Sequence, residues 1–140
     1  MSNDFKLTDN FFYSEFWSNN FGKPKVEPPE KYFTDIVYIA NKLQIVRDRL
    51  NEDFKPRKEI YILITSAYRT PEWNSSKNVE GASSSKHLTG RAVDSRAVGV
   101  PLFVYYTYLI RYTGFNHLGY YKDKNFVHAG IDDRITIFKY

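Results

Sequence analysis

His117-Leu118-Gly119-Tyr120-Tyr121-Lys122-Asp123-Lys124-Asn125-Phe126-Val127-His128-Ala129 is the stretch on which the fold class turns. Aromatic and aliphatic residues gather at both ends, and the polar Lys122 to Asn125 run between them has the composition of a turn. The segment therefore predicts two strands, His117 to Tyr121 and Phe126 to Ala129. A connection this short joins antiparallel neighbours. A further closing strand is expected from Arg134 to Phe138, after a turn at Asp132-Asp133.

Upstream, Pro101 to Thr113 reads as a long helix stopped by Gly114. Earlier still, Phe33, Ile36, Val37, Ala40, Leu43, Val46 and Leu50 recur at the three-and-four spacing of one helix face within Glu30 to Asn51. Pro56 ends that region, and the β-branched Glu59 to Thr65 suits a short buried strand. Thr70-Pro71-Glu72 offers an N-cap, a proline at the first helical position and an early acid, which predicts a brief helix. Ser75 to Lys86 has loop composition. Phe21 to Pro29, with Gly22, Pro24, Pro28 and Pro29, sets off an N-terminal arm (residues 1–29). The arm's Phe11, Phe12, Phe16 and Trp17 predict a short helical piece folded back on the body. These elements compose an α+β fold, a single domain over residues 1–140 with a mostly antiparallel sheet packed against helices.

Composition narrows the chemistry. With 42% hydrophobic and 26% charged residues in 140, the chain has the makings of one globular core rather than a disordered segment. It has no cysteine, which removes thiolate nucleophiles, disulfides and Cys-based zinc sites, so any metal must be held by His, Asp or Glu. The longest apolar-looking run, Val98 to Tyr112, carries Gly99, Pro101 and Arg111 and is too short and polar to span a bilayer. Met1 to Lys6 lacks the pattern of a secretory signal, which predicts synthesis in the cytoplasm. The net charge of +4 is scattered, and the aromatic residues follow helix and strand periods, so a nucleic-acid groove is not expected.

The chemistry concentrates in Ser85-Lys86-His87-Leu88-Thr89-Gly90-Arg91-Ala92-Val93-Asp94 and in His128. Two imidazoles and one carboxylate suffice for catalytic zinc, because the fourth position stays open for a water that the ion acidifies to near ~7. Gly90 between His87 and Asp94 lets the chain turn them onto one site, and His128 must arrive from a separate strand. A histidine and an aspartate seven residues apart also occur by chance, and spacing does not choose between the two readings.

A second motif, Ser66-Ala67-Tyr68-Arg69-Thr70-Pro71-Glu72-Trp73-Asn74, adds to the first. Together with Ser85-x-His87-x-x-Gly90-x-Ala92-x-Asp94, and with Gly119-Tyr120-Tyr121 leading to Phe126-Val127-His128, it resembles the zinc D-Ala-D-Ala carboxypeptidase family. That family has a hedgehog-like fold and includes L-Ala-D-Glu endopeptidases. Leu7 to Phe16 and Leu43-Gln44-x-x-Arg47-Asp48-x-Leu50 resemble the leading part of its compact phage-type members.

The resemblance implies one zinc ion held by His87, Asp94 and His128, and Arg69 as the catalytic residue that grips a substrate carbonyl or carboxylate. Tyr68 and Ser85 are candidate substrate-binding residues, although a packed tyrosine and a turn-forming serine explain them equally well. Asn74 is placed to tie down the Ser75 to Lys86 loop. One departure stands out. Relatives that cut amides carry a general base two or three residues before the last ligand, where this chain has Phe126 and Asn125, and many phage-type relatives carry an acid two residues after it, where this chain has Gly130. Asp123, Asp132, Asp133 and His117 are the remaining candidates, or there is none.

The function implied is a zinc peptidase that hydrolyses an amide of peptidoglycan stem peptides or cross-links. It would be a phage lysin or a particle-borne enzyme, monomeric, acting at the cell wall. The alternative is a zinc-binding module without turnover that recognises cell wall or serves as a structural virion component.

Overall fold

The three-and-four spacing upstream of Pro56 closes into helix α1 (Phe33–Phe54) in the computed structural model, which describes residues 4–20, 24–132 and 136–139. Ile36, Ile39, Ala40, Leu43, Val46 and Leu50 are buried along one face. Each large aliphatic side chain so buried is worth about 1.5–3 kcal/mol, which makes this stripe the main anchor of the fold. Ile39 rather than Val37 takes the inward place, because 3.6 residues per turn centres the stripe one step further on. Lys55 then turns left-handed at φ 45°, its N–H closing the helix on the Asn51 carbonyl.

One buried polar residue on α1, Gln44, holds the N-terminal arm. Its Oε1 accepts from Thr8 Oγ1 (2.8 Å) and the Asn10 backbone N–H (2.9 Å), while its Nε2 donates to Asn10 and Asp48. A buried amide paired at both ends costs little, and it fixes the arm's path. The arm forms a 3-10 turn over Tyr13–Phe16. Phe11 and Phe16 are buried as expected, but Phe12 points outward.

Beyond α1 run strand β1 (Ile62–Ser66), helix α2 (Pro71–Ser75), strand β2 (Ala92–Ala97), helix α3 (Leu102–Tyr112) and strands β3 (His117–Tyr121), β4 (Phe126–Gly130) and β5 (Thr136–Lys139). Thr70 caps α2, with its Oγ1 accepting from the Trp73 N–H. Gly114 follows α3 at φ +72°, a conformation that glycine adopts without strain. The sheet order is β1-β2-β4-β3-β5. Every pair is antiparallel except β3 with β5, which is parallel. The fold is thus α+β with a mixed, mostly antiparallel sheet.

Two sequence expectations need correction. β1 is not a buried strand but an edge strand, with Leu63 and Thr65 outward and Ile62 inward. Ala92–Ala97, which the sequence presents as part of a motif rather than as a strand, forms β2 between β1 and β4 and is buried along nearly its whole length. The start of the expected Arg134 to Phe138 strand lies outside the described residues, as does Asp133.

Strand alternation divides the sheet's two faces. Val93, Ala97, Val127, Ala129 and Leu118 join the apolar cluster with α1 and α3, and Ser95 Oγ meets the buried Tyr105 hydroxyl of α3 at 2.7 Å. The opposite face carries a row set by register. Ser66, Asp94, His128, Gly119 and Phe138 are successive cross-strand partners over all five strands.

Candidate metal centre

A bulge in β1 places this row. The register shifts between Ile64 and Ser66, leaving Thr65 unopposed and bringing Ser66 opposite Asp94. His128 is Asp94's partner on β4. His87 comes from outside the sheet, on a 3-10 turn (Lys86–Thr89) that Ser85 caps by accepting the His87 N–H at its Oγ. Gly90 ends that turn at φ +68°, with Ile36 and Tyr32 about 3.1–3.2 Å from where a Cβ would stand. Gly90 is thus hemmed in by α1 and the segment before it.

The three side chains are buried and face one another, with one donor atom of each within 4.8 Å of the others. Asp94 Oδ1 lies 3.2 Å from His87 Nε2 and 3.0 Å from His128 Nδ1. Donors on a tetrahedral ion at ordinary zinc bond lengths stand about 3.3 Å apart, so the spacing suits such an ion.

Protonation gives a sharper test of fit. His87 Nδ1 is 2.6 Å from the Ala67 carbonyl and must donate to it, and burial pushes the His87 pKa below its usual value, so the ring is neutral. Nε2 is then a bare lone pair, buried and without a hydrogen-bond partner, aimed at a carboxylate. Burial works to raise the Asp94 carboxyl, but the hydrogen bond with His128 helps to outweigh it, and the group is held well below the carboxylate range. Two acceptors held face to face call for a cation, and the donor set fits a zinc ion.

Arg69 neutralises the other side of Asp94. Its Nη2 is 3.3 Å from Asp94 Oδ2, its Nε donates to Ser66 Oγ (3.0 Å) and its Nη1 to Asn74 Oδ1 (3.2 Å). Asn74 also donates to the Ala82 carbonyl (2.9 Å), tying down the loop before His87. Gly81 is required there, because a Cβ would collide with the Asn74 side chain.

The cluster opens into a cleft of about 570 Å³ bordered by Arg69, Ser85, Lys86, His117, Tyr121, Phe126 and Phe138. Ser85 is thus at the cleft as well as capping the turn. Tyr68 is not among the lining residues; it is buried and its ring packs 6.0 Å from that of Tyr32. Of the proton-carrier candidates, Asp123 lies exposed in the β3–β4 turn, Asp132 lines the cleft with its carboxylate 3.3 Å from Lys86 Nζ, and His117 contacts His128. A side chain at Gly130 would strike the Arg91 carbonyl, so the backbone itself excludes an acid at that position. Sequence reasoning missed Glu80, a cleft residue in left-handed conformation at φ 51°. The adjoining glycine was its one signal.

The family model described as Peptidase M15 matches residues 10–130. The chain belongs to this family, that of the zinc D-Ala-D-Ala carboxypeptidases. Its members are zinc-dependent metallopeptidases, in accord with the donor set that His87, Asp94 and His128 present. No curated protein matches the chain. No helix among the described residues is long and apolar enough to cross a membrane.

Proposed function

We propose that this chain is a zinc-dependent hydrolase of an amide bond in peptidoglycan stem peptides or cross-links, with His87, Asp94 and His128 as the ligands. The observation that carries the reading is the convergence of two imidazole nitrogens on one Asp94 oxygen at 3.0 and 3.2 Å, at the floor of an open cleft. Zinc, when bound, supplies a Lewis acid and an acidified water. Arg69 is held rigid by Ser66, Asn74 and Asp94, which use three of its five N–H donors; the others serve a substrate carbonyl or carboxylate from a fixed position. Tyr121, stacked on Phe126 at 4.6 Å, walls the cleft against a peptide backbone. Of the proton-carrier candidates, the cleft-lining Asp132 and His117 are better placed than Asp123. The resemblance to compact phage-type members supports a lysin that meets its substrate at the cell wall.

A second reading, a zinc-bearing wall-binding or virion module without turnover, is favoured by one feature. Asn125 and Phe126 supply no proton acceptor, and Gly130 has no room for one. One assay separates the two. Zinc-loaded protein incubated with purified peptidoglycan should release fragments with new amino termini, seen by mass spectrometry, and a chelator should stop the release. Protein that sediments with the wall but releases nothing supports the second reading, and protein that does neither contradicts both.

A further inference from the structure

The chain has three histidines, and the zinc reading uses two. The third, His117, lies two residues before Gly119 on β3, so it shares the site face with Gly119 and its partner His128. Its Nδ1 is 2.9 Å from His128 Nε2, and the two rings lie 4.9 Å apart with planes crossing at 76°. Phe138 borders both, 5.3 Å from His117 and 5.8 Å from His128. It reaches them over Gly119, where a Cβ would collide with its ring.

Two ring nitrogens at this distance share a single proton, and its owner depends on the far side of His128. There, Nδ1 stands 3.0 Å from Asp94 Oδ1 within the ligand cluster. A ring that gives its Nδ1 lone pair to an ion cannot also hold a proton on that atom, so neutral His128 must carry its hydrogen on Nε2. We infer that His117 is a positioning residue of the metal centre: its Nδ1 accepts the hydrogen bond from His128 Nε2–H, fixing His128 in the tautomer and orientation that present Nδ1 to the ion. This rests on the zinc reading above and extends it to a residue outside the ligand set. His117 in turn carries its own proton on Nε2. Partners of this kind on a ligand histidine typically govern 10- to 100-fold in metal affinity.

The test is competition for zinc between the full chain and a chromophoric chelator, alongside the visible spectrum of the Co²⁺-loaded protein. His117→Leu, which has no acceptor, should weaken zinc binding about 10- to 100-fold and alter the Co²⁺ bands. His117→Asn, whose Oδ1 can stand in for Nδ1, should restore both nearly to the original. Unchanged affinity and spectrum in His117→Leu overturn the inference, and so does His117→Asn behaving like His117→Leu. Long-range ¹H–¹⁵N correlation on the zinc-loaded, unmutated chain reads the same point without a variant: protons on Nε2 of both His128 and His117 are expected, and a proton on His117 Nδ1 contradicts it. Failure of the unmutated chain to take up zinc overturns the zinc reading itself, an outcome distinct from zinc bound equally well without His117.

Discussion

Asp94 is the residue on which the centre is built, since one of its oxygens faces both imidazoles and the other faces Arg69. Asp94→Asn keeps the shape and removes the charge, and it should lower zinc affinity by more than about 100-fold in a chelator competition. Arg69→Ala should leave zinc content near one per chain and reduce peptidoglycan cleavage on the order of 100- to 1000-fold, the usual cost of losing one donor to a developing oxyanion. Cleavage that survives Arg69→Ala removes that role from Arg69. His87 and Asp94 were legible in the sequence because a single turn and strand hold both within one short motif. His117 was legible as a proton-carrier candidate but not as a partner of His128, because that link passes through strand register. Tyr68, a candidate for substrate binding from its place in the Arg69 motif, is buried beside Tyr32 and is not among the cleft-lining residues.

Among elements, α1 was readable from periodicity, α3 from the run that Gly114 stops, and the brief α2 from its cap and proline. β2 was not, because Ala-Val-Asp-Ser-Arg-Ala has one β-branched residue and no alternation of its own. Its burial is imposed by β1 and β4 on either side and α3 below. The link to α3 makes a pH prediction. Burial pushes the Tyr105 hydroxyl above the usual phenol range, against the weaker lowering by Ser95. A raised folded pKa means that the stability it contributes is intact below the unfolded tyrosine value of about 10 and is lost as pH rises beyond it. Urea unfolding should therefore show a fall in stability above about pH 10 that is smaller in Tyr105→Phe; an equal fall in both contradicts this account. On the opposite face, Gly119→Ala must displace the Phe138 ring, and thermal unfolding should show a loss of about 1–3 kcal/mol.

The whole molecule puts its apolar core on one face of a single sheet and its polar cluster on the other, so the core can form without the metal. Zinc should add to that stability by mass action. At a hundredfold excess over Kd the gain is about 2.7 kcal/mol, on the order of 10 °C in Tm for a chain of this length. A scan that does not move on adding zinc contradicts binding to the folded form. The class of fold followed from the hairpin around Lys122 to Asn125, whereas the strand order and the row from Ser66 to Phe138 required pairing between distant segments that no local pattern encodes. The most direct measurement is anomalous diffraction at the zinc edge from crystals of the zinc-loaded chain. The account predicts one strong peak within about 2.0–2.2 Å of His87 Nε2, an Asp94 carboxylate oxygen and His128 Nδ1. A peak elsewhere, or none between these three atoms, would contradict it.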